Sequence, residues 1–305
     1  MAILLSICIP CYGRVEYVRK TLQSIYQDNS DVSLSDYEVV ISDNDPDCAI
    51  KILADEFNHY TNFKYFHTEC EGFMNSYYAL TYGNGDLLVL HNGQTRLKKG
   101  TLSLMVNDAK AYITDKPLIF YTNGFLGKLR KSYFDNFDSY MFHLSYWSSW
   151  SDGFTIWKSN FDVIGNITLN KLFPQTSLFL TQSKSKQFII DDRSLFDGQR
   201  ILKRGGHNKF EAFTIEYPSL IDQCFQAKEI SHKCKEHIFW NILSDFLPQL
   251  YFNKYIARSE TFEATGFKNN LKMYFPKYSY YLVIVLSLFQ PLKILKRRIF
   301  RSFTK

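Results

Sequence analysis

Two of the acid-free stretches of this 305-residue chain bear on its chemistry. The first, Leu87 to Asn107, reads LLVLHNGQTRLKKGTLSLMVN. Such a segment offers magnesium or manganese none of the hard carboxylate oxygens they favour. The second begins after Glu263 and runs to the last residue. The six cysteines (Cys8, Cys11, Cys48, Cys70, Cys224, Cys234) are too sparse for a disulfide scaffold. Cys8 and Cys11 make a lone CxxC, read here as one strand cysteine and one loop cysteine and not as a zinc or redox pair. The opening MAILLSICIPCYG lacks a basic leader and a long apolar core, so it reads as a buried strand and the cytoplasm is the expected compartment. There is no internal repeat, no low-complexity linker and no RNA- or DNA-binding motif, and nucleic acid is not an expected partner.

What remains is apolar and aromatic. Hydrophobic residues make up 46% of the chain, enough for a sizeable core, and 27 Phe and 21 Tyr raise the aromatic share to 17%. Some of these rings pack the core and others can stack on sugar rings. The net charge of +6 suits phosphate or anionic membrane partners.

Hydrophobic periodicity alternates along the first 121 residues. Short apolar runs at Ala2–Ile9, Tyr37–Ile41, Phe63–Phe66, Leu87–Leu90 and Leu118–Tyr121 predict strands. Helical spacing predicts helices at Val15–Gln27, Ile50–Phe57, Phe73–Tyr82 and Thr101–Ile113. Gly83-Asn84-Gly85 reads as a helix stop. Strand and helix in turn, joined by short loops, predict a doubly wound, mainly parallel α/β sheet. Ligands in such sheets sit beyond the carboxyl ends of the strands. That rule selects Pro10–Arg14, Asp43–Asp45, His67–Gly72 and His91–Arg96 before any family is considered.

After Gly124 the alternation weakens, and Tyr217–Tyr255 reads as helical. The expected organisation is a domain over 1–220, with a ligand-binding half at 1–123 and a second half at 124–220, followed by a helical extension over 221–305. In the tail, Tyr278–Leu288 is strongly apolar but about half the roughly 20 residues of a spanning helix. Lys293, Lys296, Arg297, Arg298, Arg301 and Lys305 follow, interleaved with apolar residues. That pattern predicts contact with an anionic membrane surface.

The strings LLSICIPCYGRVEYVRKTLQSIYQ and YEVVISDNDPD, followed by ECEGFMNSYYALTYGNGDLLVL, resemble the opening of family-two glycosyltransferases with the GT-A fold. The likeness covers about residues 4 to 115, through IPCYGR, TLQSIYQ and ISDN. It implies an inverting transfer of a sugar from a nucleotide-sugar donor, UDP-linked, to a lipid-linked acceptor glycan of the capsule or O-antigen kind. It further implies a peripheral place on the inner face of the cell membrane. Carried over residue by residue, Pro10, Cys11 and Tyr12 would lie beside base and ribose. Asp43 would accept from the uracil imide, Arg14 would meet phosphate, and Asn75 would face the site.

Two departures bear on the chemistry. Gly13 stands where the resemblance expects Asn. Gly93, Gln94 and Thr95 stand where it expects the metal-binding acids, preceded by His91 and Asn92. Three readings stay open. Lys98 and Lys99, with Arg96, replace the metal's charge; acids from elsewhere hold a metal; or the chain is a non-catalytic homologue that supports a partner glycosyltransferase. The expected place of the catalytic base, Phe173–Leu180, contains no acid. Asp152, in YWSSWSDGF beside Trp147 and Trp150, is the base candidate, with Asp191 and Asp192 as fallbacks.

Overall fold

The computed structural model describes residues 3–199 and 206–293. They belong to two compact units, Met1–Gln199 and Arg200–Lys305, so the segment from 206 to 220 groups with the helical part.

The first unit is built on a sheet ordered β3-β2-β1-β4-β8. Its strands are β1 (Leu5–Cys11), β2 (Tyr37–Asp43), β3 (Phe63–His67), β4 (Leu87–Leu90) and β8 (Thr155–Trp157). β1 to β4 are parallel, and β8 closes the β4 edge antiparallel. All seven residues of β2 and all four of β4 are buried. This is why β4 and the Val39–Ile41 part of β2 read as unbroken apolar runs, since strands covered on both faces do not alternate, while the buried Glu38 of β2 is paired with Lys64. Cys8 and Cys11 both lie in β1, so Cys11 is a buried strand residue and not the loop cysteine expected.

The crossovers are α1 (Val15–Tyr26), α2 (Lys51–Phe57) and α3 (Asn75–Thr81). One apolar face of α1, with Val18, Leu22 and Ile25, packs on the sheet core beside Ile7, Ile9 and Val39. Each such fully buried aliphatic contributes about 1.5–3 kcal/mol. Gly85 does more than stop a helix. A Cβ there would lie 2.6 Å from the Leu5 carbonyl carbon, and its N–H donates to Ser6 Oγ at 2.7 Å. Glycine therefore lets the chain pass against β1 on its way into β4.

Beyond β4 come the short β5 (Thr95–Leu97), α4 (Thr101–Ala111), β6 (Leu118–Tyr121), β7 (Lys131–Phe134), α5 (Phe137–Leu144), α6 (Lys158–Asp162), α7 (Pro174–Leu180), β9 (Phe188–Asp191) and β10 (Phe196–Gly198). β6, β9 and β7 form a small mixed sheet, and β5 pairs with β10.

The second unit is helical: α8 (Lys209–Glu211), α9 (Tyr217–Gln226), α10 (His232–Asn241), α11 (Leu247–Tyr251), α12 (Phe267–Asn270) and α13 (Ser279–Leu288). Wide π turns at Ala212–Glu216 and Ile242–Phe246 run directly into α9 and α11, whose second residues are Pro218 and Pro248. A proline lacks the N–H that would close the preceding turn and clashes with the carbonyl four residues back. A widened turn just before it relieves both. No helix among the described residues is long and apolar enough to cross a membrane.

Candidate active site

The register of the parallel strands sets Cys11 opposite Asp43, and Asp43 opposite His67, in one row at the carboxyl edge. Three of the four sequence-selected clusters meet there. Gly13 (φ +56°) and Arg14 (φ +59°) are both left-handed, so the chain turns sharply from β1 into α1. Left-handed backbone is natural for glycine and costs an arginine roughly 1–2 kcal/mol. A residue held that way at a ligand edge is a marker of function. Arg14 and Tyr12 are exposed beside this turn, Tyr12 at 65%.

Asp43 is wholly buried. Its Oδ1 accepts the Asp45 N–H at 3.0 Å and its Oδ2 accepts the Tyr65 hydroxyl at 2.9 Å. Burial pushes this carboxyl above the usual carboxylate range, against the pull of those two donors. Asn75 is also buried, and its amide is fully engaged. Nδ2 reaches the carbonyls of Cys11 at 3.1 Å and Ser42 at 2.8 Å, and Asn44 Oδ1 at 2.9 Å; Oδ1 accepts from Ser42 Oγ. Asn44 in turn donates to the Cys70 and Gly72 carbonyls. Asn75 thus pins the ends of β1 and β2 to the next loop. Its geometry is that of a strut, and a nucleotide contact would need an atom it does not have free.

The end of β4 carries the fourth cluster. His91 is buried, with Nε2 donating to the Thr95 carbonyl at 2.8 Å. Its Nδ1 lies 3.0 Å from Asp152 Oδ1, close enough to pair but out of line for a hydrogen bond. Asp152 Oδ1 also accepts the Asn92 N–H at 3.2 Å. Sixty residues of sequence separate these partners, and Gly153 brings them together. Gly153 donates to the Leu90 carbonyl and accepts from the Tyr121 N–H, at φ +86°. A Cβ there would sit 2.2 Å from the Tyr121 oxygen, so no other residue fits. The Asp-Gly pair is the sequence signal for this junction.

The residues gathered at the end of β4 do not fit a hard divalent cation. Among them Asp152 is the single carboxylate, and His91 Nε2 is bonded to backbone. A Cβ on Gly93 would press on Val18 Cγ2 at 3.2 Å and Cys11 Sγ at 3.3 Å, so any side chain there would have to push these neighbours aside. Among the described residues no group of three His, Cys, Asp or Glu could hold a metal.

The structure does not bring Lys98 and Lys99 to the nucleotide loops. Thr21 Oγ1 on α1 bonds the Gly93 and Thr95 carbonyls, and Ser24 Oγ accepts the Leu97 N–H. β5 therefore runs down α1, away from Arg14. Lys98 and Lys99 end in a depression shared with Gln27, Asp28, Asp31 and Asp197, near the far end of that helix. The separation along α1 from Val15 to Tyr26 is about 16 Å at 1.5 Å per residue. Lys98 bonds Ser194 Oγ at 2.7 Å and lies 3.7 Å from Asp197.

The fallback bases are engaged elsewhere. Asp191 pairs with Arg193, and Asp192 accepts the Thr122 hydroxyl and the N–H groups of Leu126, Lys128 and Leu129. α7 supplies no acid, but Gln175 and Thr176 hold the Ser149 and Ser148 carbonyls and so position the aromatic loop. In that loop Trp147 and Trp150 pack with Phe125, which sequence reasoning missed. Phe125 stacks on Trp147 at 4.7 Å between ring centres, and Trp150 meets both rings nearly edge-on. Composition carries no sign that Phe125 would join them.

Residues 6–163 match the family described as Glycosyl transferase family 2. No curated protein sequence matches the chain. The fold resembles that of S. aureus TarS 1–349 (TM-score 0.57, 13% identity, covering 93% of this chain and 88% of that one). The same protein in complex with UDP-GlcNAc aligns similarly (TM-score 0.56, 15% identity, 93% and 89%). So does the mannosyltransferase PcManGT from Pyrobaculum calidifontis in complex with GDP-Man and Mn2+ (TM-score 0.52, 10% identity, 95% and 90%).

Proposed function

The chain belongs to glycosyl transferase family 2 and is a glycosyltransferase on a GT-A-type α/β sheet, and from that premise we propose that it moves a sugar from a UDP-linked donor to a growing lipid-linked surface glycan, with inversion and without a divalent metal. The observation that carries this is the single edge where β1, β2 and β4 present Arg14, Asp43 and the His91–Asp152 pair. The UDP-GlcNAc and GDP-Man bound to structures of this fold support the donor class.

In this reading the Tyr65 hydroxyl gives up Asp43 Oδ2 to the uracil imide, and Tyr12 covers base and ribose. Arg14, the exposed cation of the turn, meets the diphosphate. Asp152 takes the proton of the acceptor hydroxyl as that oxygen attacks the anomeric carbon. The bond from sugar to phosphate breaks on the opposite face, and its electron pair leaves with the diphosphate. The Asn92 N–H holds Asp152 in place, as a preorganised site requires. The half-buried Trp147 and Trp150 stand two to five residues before this acid, where a sugar ring can pack. In this reading the basic residues from Lys296 to Lys305, which lie outside the described residues, hold the enzyme on the anionic inner face of the membrane.

A second reading is a non-catalytic homologue that binds nucleotide or glycan and supports a partner transferase. The closed state of Asp43 and the absence of a metal donor set at β4 favour it. Calorimetry with UDP and transfer assays with and without EDTA separate the two. Transfer that survives EDTA supports the enzyme reading. Strict manganese dependence overturns the metal-free mechanism, and UDP binding with no transfer to any acceptor moves the assignment to the second reading.

A further inference from the structure

One helix of the second unit is turned inside out. The inward side of α13 and its continuation carries Ser279, Val283, Ser287 and Gln290, all buried. The outward side carries Tyr278, Tyr281, Val285, Leu288, Phe289 and Leu292, each 50–63% exposed. With 3.6 residues per turn these six fall within an arc of about 100°, and the four buried ones lie opposite. A helix facing water has the reverse arrangement. Single exposed apolar residues are ordinary, but six in one stripe are not.

The surroundings identify what covers the stripe. Lys268, Lys272 and Lys277 are exposed beside its Tyr278–Tyr281 end. The Lys268 ammonium sits 5.4 Å from the ring centres of both Tyr280 and Tyr281. Lysines with apolar stems and charged tips, next to tyrosines that are apolar at one end and wet at the other, suit a lipid–water boundary. The chain beyond the stripe continues with Lys296, Arg297, Arg298, Arg301 and Lys305, and no acid follows Glu263. A symmetric second copy would set one basic rim against another, and the neighbouring acid, Asp245, is already paired with Lys293. An anionic bilayer supplies both the apolar medium and the opposite charge. Ser279, Val283, Ser287 and Gln290 are buried within the unit, so the helix offers a bilayer only its opposite face and lies in the plane of the interface.

We propose that the outward face of α13, from Tyr278 to Leu292, dips into the acyl boundary of an anionic membrane, with the basic tail holding the headgroups. The inference rests on the membrane location proposed above and adds a penetrating apolar face to an electrostatic tether. Attraction by the tail alone fades as salt screens it; insertion of Val285, Leu288 and Leu292 does not.

The experiment uses the full chain with phosphatidylglycerol–phosphatidylcholine vesicles. Val285→Asp with Leu288→Asp is compared with a tail variant in which Lys296, Arg297, Arg298 and Arg301 become Gln. The stripe variant is expected to lose at least about tenfold in vesicle affinity at both low and high salt, because two apolar side chains no longer enter the bilayer. The tail variant is expected to lose affinity mainly at low salt. Both substituted stripe positions face outward, and a thermal melt checks that the variant is folded. Independently, Leu288→Trp should add a fluorescence signal quenched by lipids brominated on their acyl chains. Unchanged vesicle affinity of the stripe variant, or no added quenching for Leu288→Trp, overturns the proposal. So does a concentration-dependent dimer that the stripe variant abolishes while the parent protein ignores vesicles. Loss of binding by the tail variant alone keeps the membrane location and rejects the inserted face.

Discussion

The carboxyl ends of β2 and β4 each hold a carboxylate, and the two are in opposite states. Asp43 has no exposed surface and a donor on each oxygen. Asp152 is partly exposed, with the Asn92 N–H and His91 both on its Oδ1 side. A carboxylate with both oxygens held is set to recognise a fixed group. One that keeps some exposed surface is set to exchange a proton. The same side chain serves two purposes because tertiary neighbours, not residue type, decide how much of it remains available.

The largest test of this contrast is Asp152→Asn. It should reduce transfer by about 10²–10⁴-fold, the span of general base catalysis, and leave UDP affinity within twofold. Equal turnover by mutant and parent protein, in assays with saturating donor, would remove Asp152 from the chemistry. Next is Gly153→Ala, which forces a methyl onto the Tyr121 oxygen at a left-handed φ. A loss of stability on the order of 3 kcal/mol is expected by denaturant unfolding. A melt indistinguishable from the parent would mean that the junction delivering Asp152 is not rigid.

Asp43→Ala should weaken UDP binding by about 1–3 kcal/mol, as for a lost charged hydrogen-bond partner. The sign of its pH dependence follows from burial, which holds the Asp43 carboxyl above the usual carboxylate range. Protonation as the pH falls through that raised value removes the charged acceptor, so UDP affinity should decline at milder acidity than an ordinary aspartate would cause. Asp43→Asn should flatten the profile, and an identical profile in parent and variant counts against the assignment. The smallest effect is expected from replacing Lys98 and Lys99 with Ala. These side chains sit near the far end of α1, so transfer should change by less than about 0.5 kcal/mol, the usual range for surface positions. A large loss in rate at unchanged donor affinity would return them to the phosphate.

Legibility also differs between the two regions. β1 to β4, β6 and the helices α1 to α4 were readable because each is local: a buried strand is a short apolar run, and a crossover helix shows its own period. Asp43, Arg14 and the edge they share follow from the carboxyl-end rule alone. β5, β7, β8, β9 and β10 were not readable. They are three or four residues long, and several pair antiparallel with partners far away in the chain, as β8 does with β4. Neither Phe125 beside the tryptophans nor the contact of His91 with Asp152 has a local signature.

What the amino-acid order determined by itself is the alternating α/β scaffold, the closing glycines, the aspartate at the end of β2, the missing acids at β4 and the acid-free basic tail. These depend on periodicity, turn chemistry and side-chain type, which act over a few residues. What only the tertiary structure decided is which groups remain free. It engaged Asn75 as a strut, carried Lys98 and Lys99 down α1, closed Asp43 under Tyr65, and set Asp152 against His91. It also turned Ser279 and Ser287 of α13 inward and Tyr281, Val285 and Leu288 out. Each of those outcomes depends on partners distant in sequence, and burial and hydrogen-bond satisfaction are properties of the assembled neighbourhood.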